Sequence, residues 1–95
     1  MIENKIKELR VKILVHACIY DMGEVMMARE NWEAMADELL DLQQKHIDKC
    51  NIGLFDDLFR SWDGRTTSQL PLKDERVINR AQWLIDNKEF TPNLL

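Results

Sequence analysis

Apolar residues recur along the first fifth of the chain at steps of three and four: Ile2, Ile6, Leu9, Ile13, Ala17 and Tyr20. Val11, Leu14, Val15, Cys18 and Ile19 thicken the second half of that stretch. The spacing predicts a helix over about residues 2–20, exposed at its start and buried almost all round at its end. Asp21-Met22-Gly23 ends it, because glycine supplies the left-handed residue that closes a helix. Residues 21–28 are unusually apolar for a connection, and Val25, Met26 and Met27 are expected to pack on the core. A second helix is expected over about 29–49. Its inward stripe is Trp32, Met35, Ala36, Leu39, Leu40, Gln43, His46 and Ile47. Glu30, Asp37, Glu38, Asp41, Lys45 and Asp48 line the other face, with Asp41 and Lys45 paired at i,i+4.

Asn51-Ile52-Gly53 breaks the pattern, and Leu54, Phe55, Leu58 and Phe59 point to a short helical turn over about 54–60. Ser61-Trp62-Asp63-Gly64 reads as a tight turn, with Gly64 in a left-handed position. Residues 65–72 carry no period and lead past Pro71 to Asp74, a good N-cap. The last helix is expected over about 75–87, with Val77, Ile78, Ala81, Leu84 and Ile85 inward. Residues 88–95 form a tail with two terminal leucines. The expected fold class is all-α: one domain over residues 1–95, a bundle of three main helices plus a short helical turn. The first two helices are expected to pack antiparallel, with the last closing the open side.

Composition narrows the function classes. The chain has 95 residues, of which 45% are apolar and 32% charged, with three glycines and two prolines. That suits one soluble, helix-rich domain and is too short for a Rossmann enzyme, a TIM barrel or a complete nucleotidyltransferase. The net charge of -4 is unevenly spread. Residues 1–12 sum to +2, residues 21–63 to -7 and residues 64–95 to +1. The acidic middle argues against a phosphate-driven or sequence-specific nucleic-acid binder and fits either a solvated helix face or a surface aimed at a basic partner. No uncharged run is longer than Ile13–Tyr20, so no membrane span is expected. The charged start, Met1–Arg10, lacks a secretory pattern. A cytoplasmic protein with reduced Cys18 and Cys50 is therefore expected.

The chemistry-bearing residues form no recognisable catalytic set. His16, Cys18, His46 and Cys50 have zinc chemistry but the wrong spacing. On a helix His16 and Cys18 point about 200° apart. No Gly-x-Ser-x-Gly elbow and no glycine-rich phosphate loop is present. Asp56 and Asp57 are adjacent and face apart on a helix. The expectation is a chain that is not an enzyme, with no metal and no cofactor.

Two stretches resemble known proteins. Ile19–Leu42 resembles the small N-terminal helical domain of NAD-dependent DNA ligases, in which a helix ending in Tyr-Tyr is followed by Ile-Ser-Asp-x-x-Tyr-Asp-x-Leu-x-x-Glu-Leu. Tyr20 takes the second tyrosine place, Met27 the isoleucine, Trp32 the tyrosine and Met35 the leucine, and Glu38-Leu39 match outright. That domain clamps the nicotinamide mononucleotide half of NAD, so the resemblance implies a remnant pocket at Tyr20, Arg29, Trp32 and Glu33, with NAD or nicotinamide mononucleotide as its ligand. The polar contacts are mostly replaced: Ile19 stands for the first tyrosine, Ala28-Arg29 for Ser-Asp and Trp32-Glu33 for Tyr-Asp. The second half is similar to small phage-associated bacterial proteins related to that domain, through Trp62-Asp63-Gly64-Arg65-Thr66-Thr67, Leu70-Pro71 and Ala81-Gln82-Trp83-Leu84. Ser61-Trp62-Asp63-Gly64 also resembles the Lys-x-Asp-Gly adenylation motif, but serine stands at the nucleophile position and cannot form the phosphoramidate.

A clamp domain without its catalytic domain cannot seal DNA. The expectation is a non-catalytic binding module, encoded by a phage or other mobile element, that engages a host replication, repair or defence protein in the bacterial cytoplasm. The alternatives are the nicotinamide-nucleotide remnant and an inhibitor of a host nuclease or defence system, in the manner of an anti-CRISPR protein. Trp62, Asp63, Arg65, Trp83 and Phe90 are the candidate interface, each aromatic having a core alternative. The apolar tail and aromatics also allow a homodimer.

Overall fold

The computed structural model describes residues 1–88. Four helices follow in order: α1 Ile2–Asp21, α2 Arg29–Lys45, α3 Asp56–Ser61 and α4 Glu75–Asp86, with a 3-10 turn at Ile47–Lys49 after α2. No strand occurs among the described residues, so the all-α expectation holds. α1 is the central element, with α2 and α4 packed against it. The pairs Tyr20–Arg29, Ile13–Trp32, Arg10–Gln43 and Glu3–Lys49 show that α1 and α2 run antiparallel.

Being covered on two sides explains why Ile13, Leu14, Val15, Ala17, Cys18 and Ile19 are all buried, as the thickened apolar run predicts. α1 stops at Asp21 through a Schellman closure. Gly23, at φ +87°, donates to Tyr20 O at 3.0 Å, and Glu24 N–H donates to Ile19 O at 3.0 Å. The connection that follows departs from expectation at Val25, which is exposed, while Met26 and Met27 pack against the core.

α2 buries Trp32, Ala36, Leu39 and Gln43. It ends at Lys45 rather than near residue 49, and the 3-10 turn rotates the following side chains off the stripe. Ile47 is consequently 75% exposed instead of inward. α3 and the turn after it deliver two aromatics to the core. Phe59 meets Trp62 edge to face at 5.7 Å, and Trp62 meets Trp32 the same way at 5.9 Å. Trp62 Nε1 donates to Thr66 O at 2.8 Å.

The turn itself is built by Asp63, whose carboxylate accepts from Arg65 N at 2.9 Å, from Thr66 N at 2.8 Å and from Thr66 Oγ1. Those bonds, the Thr66 hydroxyl first, hold the Asp63 pKa down to about 2. Gly64 sits at φ +83° beneath Leu40, where an added Cβ would lie 2.6 Å from Leu40 Cδ1. Asp74 caps α4 by accepting from Arg76 N at 2.9 Å. α4 then buries Val77, Ala81 and Leu84. Ile78, expected inward, is exposed, and Ile85 packs at the edge of the core.

One feature of the core was not expected from the charges. Arg10 is fully buried. Its guanidinium donates to Asp56 Oδ1 at 2.6 Å, Gln43 Oε1 at 3.0 Å, Leu54 O at 2.9 Å and Cys50 O at 3.2 Å. It also lies 5.2 Å from the Phe59 ring centroid. Gln43 Nε2 passes the network on to Phe59 O at 3.1 Å. Asp56 in turn accepts from Gly53 N at 2.9 Å and Ile52 N at 3.2 Å. One arginine thus pins the irregular 50–56 segment to α1 and α2.

Candidate functional site

The residues expected to form a nucleotide pocket do come together at the head of α2, but they close on one another. Trp32 is fully enclosed, and its Nε1 donates to Ile13 O at 3.1 Å. The Arg29 guanidinium lies 4.7 Å from the Trp32 ring centroid and 5.9 Å from that of Tyr20. Glu33 pairs with Arg29 at 3.6 Å and with Arg65 at 3.9 Å. The Tyr20 hydroxyl donates to Met27 O. With Trp62 against the edge of Trp32 and Arg29 over its face, no aromatic surface of Trp32 is left open for a nicotinamide ring. The expected open pocket at Tyr20, Arg29, Trp32 and Glu33 is corrected to a packed cluster. The cause lies in the register: Trp32 precedes Ala36 by one turn and heads the buried stripe.

The expected interface set divides in the same way. Trp62 is buried and belongs to the core, so its assignment to a surface is corrected. Asp63 is exposed but occupied with its own turn. Arg65 is exposed and reaches back to α2, pairing with Asp37 at 3.1 Å. Trp83 is 43% exposed on α4, with the Arg80 guanidinium 4.8 Å from its ring centroid. Phe90 lies outside the described residues. Among the described residues of this set Trp83 is thus an exposed aromatic, while Arg65 ties the Asp63–Arg65 turn to α2.

A concave surface lies along α1 beside α4. A cavity of about 400 Å³ is floored by Val11, Val15 and Leu84, with Lys7, Glu8, Lys12 and Arg80 around it. It runs on into a smaller one of about 110 Å³, which reaches Leu54, Phe55 and Val77. The two share Val11, Val15 and Arg80 and form one groove. Phe55, on its wall, holds a left-handed conformation at φ 51°, unusual for a bulky residue, with Arg76 5.4 Å from its ring centroid.

His16 lines the larger cavity and is itself buried. Among the described residues its Nδ1 is the one buried side-chain nitrogen or oxygen without a hydrogen-bond partner. Burial first, and then the nearby Lys12 ammonium, push its pKa below the ordinary histidine value, so the ring is neutral at neutral pH. A volume of this size falls in the range of ordinary ligand pockets. Two further hollows, beside Ile47 and beside Pro71, contain no such unsatisfied atom.

Charge distinguishes this groove from the acidic face of α2. There, acids are largely paired within the molecule: Glu38 with Lys5 at 3.8 Å, Asp41 with Lys45 at 3.0 Å and Asp37 with Arg65 at 3.1 Å. At the groove, Lys12 pairs with Glu8 at 3.0 Å, but Lys7 and Arg80 make no ion pair among the described residues. The groove was not foreseen because its halves lie at opposite ends of the chain. The available signals were Asn4, Lys7/Glu8, Val11 and Val15 on one side of α1, and Arg76 with Arg80 on one side of α4.

The cavity thus joins an apolar floor to an excess of cationic side chains, Lys7, Lys12 and Arg80 against Glu8. Among the described residues no group of three or more His, Cys, Asp or Glu is placed to hold a metal ion. No helix among them is long and apolar enough to cross a membrane. Comparison of the chain with protein-family models, with curated proteins and with solved structures returned no match.

Proposed function

We propose that the protein is a non-catalytic helical binding module whose α1/α4 groove engages another protein. The observation that carries this reading is the groove itself: an apolar floor, Lys7 and Arg80 without an ion pair among the described residues, and the half-exposed Trp83 stacked on the groove-lining Arg80. An exposed tryptophan is the kind of anchor on which interfaces concentrate their binding energy. The resemblance of Ile19–Leu42 to the ligase clamp domain supports a chain that kept a helical scaffold while losing its nucleotide contacts, since the aromatic that would stack on the base now sits in the core. A host replication, repair or defence protein is the partner class that the phage-type resemblance supports, and the bacterial cytoplasm is where they would meet.

The test is capture from a bacterial host lysate with the tagged full chain, its Val11→Glu variant and its Trp83→Ala variant. The reading expects a discrete protein retained by the wild type, weakened by Trp83→Ala and lost with Val11→Glu, while far-UV circular dichroism shows both variants folded. Retention of the same proteins by a folded Val11→Glu variant would refute it.

A further inference from the structure

We infer that the α1/α4 groove takes an acidic amphipathic helix of the partner protein. The inference rests on the binding-module reading above and names the chemistry of the segment bound. Shape is the first support. The groove follows α1 from Asn4 to His16, roughly 18 Å at 1.5 Å per residue, and continues past Val77 to Leu54. That length matches about three turns of a helix. Its walls are α1, α4 and the Leu54–Phe55 segment, and no strand occurs among the described residues, so an incoming segment finds side-chain grooves and no backbone ladder to join. A helix laid between α1 and α4 would set apolar side chains at i, i+3 or i+4, and i+7 on Val11, Val15 and Leu84.

Charge is the second support. The whole chain carries -4, yet Lys7, Lys12 and Arg80 around the apolar floor outnumber its one acid, Glu8, which pairs with Lys12, and Lys7 and Arg80 have no acidic partner among the described residues. A basic segment would meet like charge on both walls, whereas Asp or Glu flanking the apolar stripe of an incoming helix would pair with both. A second copy of the chain fits less well. The outward face of α2 supplies acids but, at Glu30, Asp37 and Asp41, no apolar stripe to fill the floor.

The test is an unbiased selection: a phage-displayed library of amphipathic helical peptides with randomised flanking positions, panned against the full chain. The expected outcome is enrichment of net-negative peptides carrying the i, i+3/i+4, i+7 apolar pattern. Binding of the enriched peptide, read by fluorescence anisotropy, should weaken roughly tenfold or more in the Lys7→Glu/Arg80→Glu double variant, the loss of two charge contacts. It should also weaken as salt rises. A version of that peptide with Lys in place of its flanking acids should bind the double variant better than the wild type. Enrichment of neutral or basic peptides, no enrichment, or unchanged binding to the double variant overturns the inference. So does stronger peptide binding by the full-length Phe90→Ser/Leu94→Ser/Leu95→Ser variant, which would make the chain's own last residues the occupant. A dimer dissolved by Val11→Glu in sedimentation would do the same for a second copy. If lysate capture still depends on Val11 while the selected peptides are not acidic, the module reading stands and this inference alone fails.

Discussion

Replacing Asp56 by alanine isolates the buried charge that organises the fold. Arg10 is completely enclosed, and Asp56 is its counter-charge at 2.6 Å. Removing one partner of a buried pair leaves the other uncompensated and costs about 3–5 kcal/mol when both are dry. The Asp56 side chain is 22% exposed, so water reaches one edge of the pair and the low end, about 3 kcal/mol, is expected. The remaining acceptors on Gln43, Leu54 O and Cys50 O keep the guanidinium hydrogen-bonded but do not neutralise it. For a domain of this size that loss lowers the melting temperature by roughly 12–20 °C. The neighbouring acid provides the control. Asp57 is 94% exposed and pairs with Arg60 at 3.1 Å, so Asp57→Ala should cost less than about 1 kcal/mol. Urea unfolding followed by far-UV circular dichroism measures both, with the m-value checking that the transition remains two-state. Equal stabilities for the two alanine variants, or an Asp56→Ala loss below about 1 kcal/mol, would refute the assignment of Arg10–Asp56 as a stabilising buried pair.

Other consequences follow from the same geometry. Trp62→Ala should cost about 3–5 kcal/mol by opening the Trp32–Trp62–Phe59 cluster, whereas Trp83→Ala should stay within about 1 kcal/mol; chemical denaturation that ranked them the other way would mean the two tryptophans are misassigned. Gly64→Ala combines a left-handed backbone with a 2.6 Å approach to Leu40 and should cost about 1–2 kcal/mol, read as a lower urea midpoint at unchanged m-value. Burial raises the Asp56 pKa, but hydrogen bonds from Arg10, Gly53 N and Ile52 N outweigh it, and the net value lies below the usual 3.8. A carboxylate depressed in the folded state contributes its stability above the unfolded pKa and loses it as pH falls through the folded one. With Asp63 held to about 2, stability should fall as pH drops from about 4 towards 2, and Asp56→Ala should flatten part of that slope in acid melts. Because Trp32 is enclosed, millimolar nicotinamide mononucleotide should leave the melting temperature unchanged, and a saturable rise would restore the nucleotide pocket.

Local signals in the sequence were legible wherever a residue's role depended on its neighbours in the chain. The repeats through Ile6, Leu9, Ile13 and Ala17, and through Trp32, Ala36 and Leu39, placed the packing faces of α1 and α2. Gly23 and Asp74 marked a helix end and a helix start through bonds made within a few residues. Roles that depend on another element were not legible. Arg10 stands between Ile6 and Ile13 on the core-facing side, a position that signals a buried charge only once Asp56 and the Leu54 carbonyl are known to meet it. Trp62 follows a helix too short to show a period, so nothing local tells that it folds back on Trp32. Ile47 was misplaced because the inward stripe was continued past Lys45, where the chain tightens into a 3-10 turn. The groove escaped for the same reason as Arg10: Lys7 and Val11 meet Arg80 and Leu84 across nearly the whole chain, and solvent-facing charges look alike until the fold sets them beside an apolar floor.

In the reading proposed above, the α1/α4 groove, rather than the acidic face of α2 or the head of that helix, is where the protein meets its partner. Site-specific photocrosslinking in living bacterial cells tests it most directly, with a photoreactive amino acid in place of Glu8 on the groove, of Asp37 on the α2 face, or of Arg29 beside Trp32. A discrete heavier adduct formed from the Glu8 position and absent from the other two is the result expected. Adducts formed from the Asp37 or Arg29 position, with none from Glu8, would contradict the account.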